Sequence, residues 1–216
     1  MTLTLHYHPL SSYCMKALVA LYELDVAFAK QIVDLGDPAQ RAALARLWPL
    51  AKFPVLRDDA RGLTVPESSI VIEYVDQLAT RRDRLVPADP DRARVCRLRD
   101  RFFDLHVHTP MQKIVTDRLR PEGARDAFGV EQAKGALDVA YAMVEDDLAE
   151  GPWAAGDTFT MADCAAAPAL FYARKVHPWN ASARPRLDAY FARLVARPSV
   201  ARVLAEAEPY FAMFPG

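Results

Sequence analysis

The sequence predicts a chain of two parts, a small α/β domain with mixed strand directions followed by an all-helical domain. Up to residue 80, short apolar stretches with a period of two alternate with helical stripes, whereas beyond residue 90 only helical spacing is found. Between them, residues 80–90 are polar and punctuated by proline, which is typical of a linker. We therefore expect domains at 1–80 and 91–216, joined by a linker at 81–90.

The first domain opens with a strand at 3–7, where apolar and polar side chains alternate, and Pro9 ends it. A helix follows at 11–24, with Cys14 among its inward-facing apolar residues. The remaining elements are an extended stretch at 26–33, a helix at 37–47, a hairpin of 53–57 and 63–65, and a helix at 68–78 that carries Ile70, Val71, Tyr74 and Val75 inward. The expected order is β-α-β-α-β-β-α.

The second domain begins with a helical stripe formed by Val95, Leu98, Phe102 and Leu105, and Pro110 should kink or break that helix. Further helices are predicted at about 130–148, 160–175, 184–197 and 199–208. The segment from Thr160 to Asp163 fits a capping box. The helix that it starts is apolar on nearly all sides, so we expect it at the centre of this domain.

Composition limits the class of protein. The 216 residues carry 27 basic and 28 acidic side chains, a net charge of −1, which argues against nucleic-acid binding as the main role. Hydrophobic residues make up 52%, enough for a packed core, yet no apolar run has the roughly 20 residues needed to span a membrane. Three cysteines and no signal peptide indicate a reducing, cytoplasmic location. The His6-x-His8 and His106-x-His108 pairs complete no metal-ligand set, so we expect no metal.

Three segments of the first domain carry chemistry. The first is Ser11-Ser12-Tyr13-Cys14, at the start of the first helix. A hydroxyl there lies beside free backbone N–H groups and the positive end of the helix dipole, a place that favours a thiolate or another anion. Alternatively, one of the two serines is simply the N-cap of the helix.

The second segment is Lys52-Phe53-Pro54-Val55-Leu56, in which a proline opens a strand. If the Phe53–Pro54 bond is cis, the chain bends and frees the backbone N–H and C=O of Phe53 to pair with an extended peptide ligand. The alternative is an ordinary trans proline at the start of a strand.

The third segment, Pro66-Glu67-Ser68-Ser69-Ile70, places a carboxylate and hydroxyls at a helix N-terminus directly after a strand. Such a helix end can bind a carboxylate through its N–H groups and the Ser68 hydroxyl, while Glu67 can hold an ammonium group. The pair would recognise the head group of a free α-amino acid. Ser68 could also be only a cap, which would leave Glu67 without a role.

Taken together, these segments resemble the glutathione transferase family. In the second domain, the stretch from Trp153 to Asp163 is similar to that family's buried capping segment, and Arg197-Pro198-Ser199-Val200 to its late helix junction. The resemblance spans almost the whole chain. It implies a thioredoxin-like, glutathione-binding N-terminal domain, an all-helical C-terminal domain, glutathione as co-substrate and a homodimer.

The resemblance also implies a role for each site residue. The γ-glutamyl head of glutathione would bind Glu67 and Ser68, its cysteinyl backbone would pair with Phe53 beside a cis Pro54, and its glycine carboxylate would meet Lys52. The sulfur would reach the serine turn, where Ser11 is the first candidate to activate it and Ser12 the second. Tyr7, at the end of the first strand, is the third candidate. Cys14 is expected to be structural.

We expect the pocket for the second substrate between the domains. Its candidate residues, each of which could equally be core, are Phe103, His106, Val107, Met111 and Tyr172, with Tyr210 and Phe211. The expected function is conjugation of a glutathione thiolate to a small electrophilic or hydrophobic acceptor. The alternatives are a glutathione-dependent disulfide reductase or peroxidase, less favoured because the sequence has no CxxC, and a binding or assembly module without catalysis.

Overall fold

The computed structural model describes residues 3–79 and 84–215. The first domain contains a four-stranded mixed sheet in the order β2-β1-β3-β4. Its strands are β1 (Leu3–Tyr7), β2 (Ala29–Ile32), β3 (Val55–Asp58) and β4 (Leu63–Pro66). Strands β1 and β2 are parallel, whereas β3 is antiparallel to both β1 and β4. The mixed strand directions expected from the sequence are confirmed.

Three helices complete this domain: α1 (Ser12–Glu23), α2 (Pro38–Leu47) and α3 (Ser68–Leu78). Side chains alternate across the sheet, so neighbouring residues of β3 reach different layers. Leu56 packs into the main core with α1 and α3, whereas Val55 joins a second cluster with Leu44 of α2. The sheet is therefore covered on both faces, and α1 lies between the sheet and the second domain.

The second domain consists of helices. They are α4 (Pro90–Phe102), α5 (Thr109–Arg118), α6 (Ala127–Asp147), α7 (Met161–Val176), α8 (Pro185–Ala196) and α9 (Pro198–Ala207). A π-helical turn at Phe103–His108 separates α4 from α5, so the break expected near Pro110 is present and takes this form. Helix α7 packs against α1, α4, α5 and α8, which confirms its central place. Within the two described ranges, no helix is both long and apolar enough to cross a membrane.

The predicted capping box at the start of α7 is present and centres on Asp163, which is fully buried. The carboxylate accepts hydrogen bonds from the backbone N–H of Thr160 at 2.8 Å and of Ala154 at 2.9 Å. The Tyr190 hydroxyl donates a third at 2.6 Å, and the Thr160 hydroxyl a fourth at 3.1 Å. Asp163 thereby ties the loop before α7 and helix α8 to the start of the central helix.

A buried ionic cluster joins the two domains. Lys16 of α1 is only 1% exposed, and its Nζ lies 2.6 Å from Asp100 Oδ1 and 2.8 Å from Asp104 Oδ2. The same ammonium donates to Ser69 Oγ of α3 at 2.8 Å, and the Ser69 hydroxyl donates to Asp100 Oδ2 at 2.7 Å. We call these four residues the Lys16 cluster. It holds α1 and α3 against α4 and the π-helical turn.

Residues 81–83 of the predicted linker lie outside the described residues. The next two linker residues, Arg84 and Leu85, are held by hydrogen bonds to other elements. Leu85 is buried, its N–H donates to Asp76 Oδ1 at 2.7 Å, and its carbonyl accepts from the Met161 N–H at 2.9 Å. Arg84 Nε donates to Asp76 Oδ2 at 2.7 Å. The segment thus connects α3 of the first domain to the start of α7.

Of the apolar stripe predicted for the first helix of this domain, only Phe102 faces inward. Leu98 and Leu105 are 60% and 53% exposed, and Val95 is also exposed. The other buried side chains of α4 are Ala93, Cys96 and Asp100. Asp100 can face inward because Lys16 neutralises its charge, and an apolar pattern cannot reveal such a pairing.

Ile70 of α3 is likewise exposed, not inward as expected from the sequence. The inward face of this helix is formed by Val71, Ile72 and Val75, and Tyr74 is only partly buried. Ile70 lies two residues before Ile72, and residues two apart on a helix do not share a face.

Candidate active site

Two adjoining cavities lie beside the edges of the sheet and the start of α1. The apolar cavity, about 500 Å³, is lined by residues that include Leu10, Leu35, Met111, Val115, Tyr172 and Phe214. The polar cavity, about 220 Å³, is lined by residues that include Trp48, Pro54, Glu67, Ser68, Arg101 and Asp104. Tyr13, Lys52 and Phe53 line both. A ligand could therefore reach from one cavity into the other past these three residues.

The serine turn stands at the N-terminus of α1, in the wall of the apolar cavity. Ser11 is the N-cap, with extended backbone, and its Oγ accepts from the Cys14 N–H at 3.3 Å. Ser12 is the first residue of the helix and is largely buried. The N-cap interpretation is therefore confirmed for Ser11, whereas stabilisation of an anion by the turn stays a prediction; both serines line the cavity.

Cys14 is fully buried in the core under this turn, as the sequence predicted. Burial raises the pKa of its thiol to about 12, against weaker opposing hydrogen bonds that involve Ser11 and His8. A thiol in this state is protonated at neutral pH and is a poor nucleophile. Cys96 and Cys164 are also buried and free.

The Phe53–Pro54 peptide bond is cis, the first of the two alternatives that the sequence left open. Strand β3 begins at Val55, so Phe53 lies just before the ladder of the sheet. Phe53 and the exposed Lys52 stand where the two cavities meet. This edge is a backbone surface that an extended ligand could pair with.

Glu67 and Ser68 open helix α3 in the wall of the polar cavity. Glu67 has a φ of 70°, in the left-handed region that a residue with a side chain adopts at a cost. Its exposed carboxylate does not cap the helix and has no hydrogen bond or ion pair within the described residues. An unpaired carboxylate thus stands next to the first N–H groups of a helix, which suits a ligand bearing both an ammonium and a carboxylate.

Arg101 and Asp104 close the polar cavity from the side of the second domain. Arg101 lies 2.9 Å from Asp100 Oδ2 and also pairs with Asp104, so it contacts two members of the Lys16 cluster. Burial raises the pKa of Asp104, and the charge of Lys16 opposes that shift. The structure places the half-exposed Arg101 in the cavity wall.

Of the residues predicted for the second-substrate pocket, Met111 and Tyr172 line the apolar cavity. Tyr172 is fixed there, because its hydroxyl donates to the Leu10 carbonyl at 2.8 Å. Phe103 and Val107 do not match the expectation, since both are buried in the core. His106 faces a different groove, between α4 and α6.

Three further expectations differ from the structure. Tyr7, the third candidate for thiol activation, is buried in the main core behind the cavities, and burial raises the pKa of its hydroxyl. Tyr210 packs against His8 with ring centroids 5.7 Å apart. Phe211 packs against Phe171 at 5.5 Å. None of the three lines either cavity.

Sequence reasoning missed His108, which lines the apolar cavity. The imidazole is 6% exposed, and its centroid lies 4.3 Å from that of the Tyr13 ring. Burial, helped by the positive charge of Lys16, lowers its pKa to about 4. The signal that could have found it is Pro110, because the π-helical turn just before this proline changes which residues face inward.

The chain's last described residues, Met213 to Pro215, also line the apolar cavity. They are held by Arg118 of α5, whose guanidinium donates to the Pro215 carbonyl at 3.1 Å. Among residues 3–79 and 84–215, no three His, Cys, Asp or Glu side chains are grouped so as to hold a metal ion.

Comparisons with known proteins agree with this geometry. The family model of the glutathione S-transferase N-terminal domain matches residues 5–83, and that of the C-terminal domain matches residues 127–193. The chain is 30% identical to glutathione S-transferase 3 of Zea mays, over 94% of this chain and 93% of the relative. It is 29% identical to FtsZ-localized protein A of Caulobacter vibrioides, over 95% of this chain and 92% of that relative.

Among solved structures, the glutathione S-transferase of Methylobacillus flagellatus with glutathione bound superposes with a TM-score of 0.85. It is 25% identical, over 93% of this chain and 98% of that one. A second, from Methylobacterium radiotolerans in complex with glutathione sulfonate, gives a TM-score of 0.80 at 27% identity, over 94% of each chain. Two family models in the expected order and relatives that match along nearly the full length lead to one conclusion: the chain belongs to the glutathione S-transferase family.

Proposed function

We propose that this protein is a glutathione transferase of the serine type, which binds glutathione in the polar cavity and transfers it to a small electrophile held in the apolar cavity. The observation that carries the proposal is that the two cavities meet at Tyr13, Lys52 and Phe53. A peptide lying across this junction would present its sulfur to the apolar side. The glutathione bound in the Methylobacillus relative supports the choice of ligand.

The residues of the polar cavity suit the peptide. Glu67, whose carboxylate is free within the described residues, would hold the α-ammonium of the γ-glutamyl group, and Ser68 with the start of α3 its carboxylate. The cysteinyl backbone would pair with Phe53 beside the cis Pro54. Lys52 is exposed at the junction and would meet the glycine carboxylate.

The serine turn would lower the pKa of the bound thiol. A free thiol has a pKa of about 8.5, and lowering it by two units needs about 2.7 kcal/mol of preferential stabilisation of the thiolate. A hydrogen bond from a serine hydroxyl to a charged sulfur contributes about 1.5–3 kcal/mol, and the N-terminus of α1 about 0.3–1 kcal/mol. Ser11 is the first choice, because it is the N-cap of α1 and its Oγ lies beside the first N–H groups of that helix. Ser12 is the second.

Calorimetric titration with glutathione, followed by conjugation assays on wild type, Ser11→Ala and Ser12→Ala, tests this proposal. We expect wild type to bind glutathione and Ser11→Ala to bind it with similar affinity but to conjugate on the order of 10²-fold more slowly. Full activity in Ser11→Ala with loss in Ser12→Ala would transfer the role to Ser12. Failure of wild type to bind glutathione would overturn the proposal as a whole.

The same assays separate the two other functions. A glutathione-dependent reductase or peroxidase would reduce disulfides or peroxide and would leave haloalkanes and activated alkenes unreacted. The buried, protonated Cys14 does not favour chemistry on a protein thiol. The relative named FtsZ-localized protein A suggests the alternative of an assembly module. If this protein were such a module, it would show no turnover in either assay. The free Glu67 carboxylate and the open cavities favour an enzyme.

We also propose that the protein is a homodimer, in which a second copy covers the groove between α4 and α6. This groove, about 990 Å³, carries exposed apolar side chains, among them Leu98, Leu105, Val139 and Met143. Light scattering after gel filtration should give a dimer for wild type and a monomer for Leu98→Glu. Leu119→Glu, on an exposed leucine at the end of α5, is the matched control and should stay dimeric. A monomeric wild type at micromolar concentration would contradict the proposal.

A further inference from the structure

One polar side chain in the apolar cavity has no role in thiol activation or in glutathione binding. His108 is more than nine-tenths buried, yet its ring forms part of the cavity wall. Within the described residues neither ring nitrogen has a hydrogen-bond partner, and neither is sealed off from the cavity. Buried polar groups in folded proteins normally have partners, so an unpartnered imidazole at a cavity indicates a group that the ligand completes.

Among the described residues that line this cavity beyond the serine turn, His108 is the deeply buried polar side chain without a hydrogen-bond partner. Tyr172 is equally buried, but its hydroxyl already donates to the Leu10 carbonyl. Lys52 and Gln112 stand at the exposed rim, and the nearby His8 already accepts a hydrogen bond from the Leu10 N–H at 3.3 Å. Around His108 the walls are apolar, with Met111 and Val115 on the same helix. A hydrocarbon-like ligand with one hydrogen-bonding atom fits such a site.

The imidazole is neutral at the pH of the cell interior. Burial and the nearby charge of Lys16 lower its pKa to about 4. A neutral imidazole has one N–H donor and is a poor acid, so it can stabilise a negatively charged oxygen by a hydrogen bond but does not hand over its proton. A donor of this kind suits the oxygen of an enolate, whose negative charge is delocalised. It suits an alkoxide oxygen less well, because an alkoxide needs the transfer of a full proton.

We propose that His108 is a catalytic residue that donates a hydrogen bond to the carbonyl oxygen of an α,β-unsaturated carbonyl substrate, and that such compounds are the preferred electrophiles. The inference rests on the proposed transferase function. The thiolate of glutathione forms a C–S bond with the β-carbon, and the electron pair of the C=C bond moves to give an enolate. The N–H of His108 stabilises the enolate oxygen and stays on the ring. Water then protonates the α-carbon, replacing the proton that the thiol released, and the product is a saturated thioether.

The test compares two electrophiles at saturating glutathione and pH 7. When the thiolate attacks trans-4-phenyl-3-buten-2-one, negative charge develops on the carbonyl oxygen. When it attacks benzyl chloride, the negative charge departs with the chloride ion, and no oxygen becomes charged. We expect His108→Phe to lower the ratio of their kcat/KM values, enone over chloride, on the order of 10²-fold. His108→Gln, which keeps an N–H donor, should recover a substantial part of the ratio. His177→Phe, on a histidine that pairs with Asp138 and lines neither cavity, is the matched control and should leave the ratio unchanged.

A spectroscopic measurement separates a chemical role from a structural one. Infrared difference spectra of the saturated ketone 4-phenyl-2-butanone, labelled with ¹³C at its carbonyl and bound with glutathione, should show a lowered carbonyl frequency in wild type. His108→Phe should return the band to its position in an apolar solvent. An unshifted band in wild type, or an equal fall of both rates in His108→Phe, overturns the inference.

The outcomes also distinguish this inference from the proposed function. If wild type conjugates benzyl chloride but not the enone, the inference fails and the transferase function stands. If wild type neither binds glutathione nor conjugates either electrophile, the proposed function fails, and the inference with it.

Discussion

Replacing Lys16 with methionine tests how strongly the buried ionic cluster holds the two domains together. Methionine fills a similar volume but leaves Asp100 and Asp104 buried side by side without the ammonium that lies 2.6 and 2.8 Å from them. Removing one partner of a buried ion pair costs about 3–5 kcal/mol, because the remaining charge has lost its solvent and its counterion. We expect the lower half of this range, because Arg101 also lies 2.9 Å from Asp100.

A matched control uses the same substitution at the surface. Lys30 Nζ also bridges the domains, 2.7 Å from Glu206 Oε2 of α9, but these side chains are 31% and 28% exposed. Pairs in contact with solvent contribute about 0–1 kcal/mol, so Lys30→Met should cost no more than that. The comparison isolates burial, because residue type, replacement and the domains that are joined stay the same.

The assay is urea denaturation at pH 8 and at pH 5, with the free energy of unfolding extrapolated to zero urea. Burial already raises the pKa of Asp104, and loss of Lys16 raises it further. A carboxyl with a raised pKa in the folded state binds a proton more readily there than in the unfolded chain. The loss of unfolding free energy caused by Lys16→Met should therefore become smaller as the pH falls. If Lys16→Met lowers the free energy of unfolding at pH 8 by less than about 1 kcal/mol, or by the same amount as Lys30→Met, the reasoning is refuted.

The remaining predictions concern other buried groups. Because the pKa of His108 is lowered to about 4 in the folded protein, the imidazole binds a proton more readily in the unfolded chain than in the folded one between pH 4 and 6.5. The free energy of unfolding therefore decreases as the pH falls through that window. Wild type should therefore lose about 2 kcal/mol more than His108→Gln between pH 7 and pH 5 in urea titrations, and equal losses would contradict this. Asp163→Ala leaves four donors without an acceptor and should cost more than about 4 kcal/mol, whereas Tyr190→Phe removes one hydrogen bond to a charged group and should cost about 1.5–3 kcal/mol. The three buried cysteines should react with a thiol reagent at pH 8 only after denaturation, and rapid labelling of the native protein would disagree with their burial.

The sequence predicts well those parts of the fold that local rules determine. Alternation identified β1, and Pro38 and the Asp37 cap mark the start of α2. The capping box at Thr160 and Asp163 formed as its spacing indicated. Each of these signals lies within a few residues and acts before tertiary contacts form.

Features that depend on partners distant in sequence could not be predicted in the same way. Asp100 faces inward because Lys16, 84 residues earlier, neutralises it, and so the more apolar face of α4 with Leu98 is exposed. The sequence predicts His106 for the pocket, whereas the structure, with its π-helical turn at 103–108, places His108 in the cavity wall. Hydrophobic periodicity describes one helix at a time and contains no information on its partners.

The π-helical turn between α4 and α5 has a consequence for alignments with relatives. Such a turn contains more residues than a regular one, so removing a single residue from 103–108 could restore an α-helix. The wide turn takes up the extra residue, so the helix after it keeps nearly the orientation that it would have without that residue. Met111 and Val115 would therefore still face the cavity that they line. A relative shorter by one residue here presents the same wall to its second substrate, and its alignment with this chain needs a one-residue gap within 103–108.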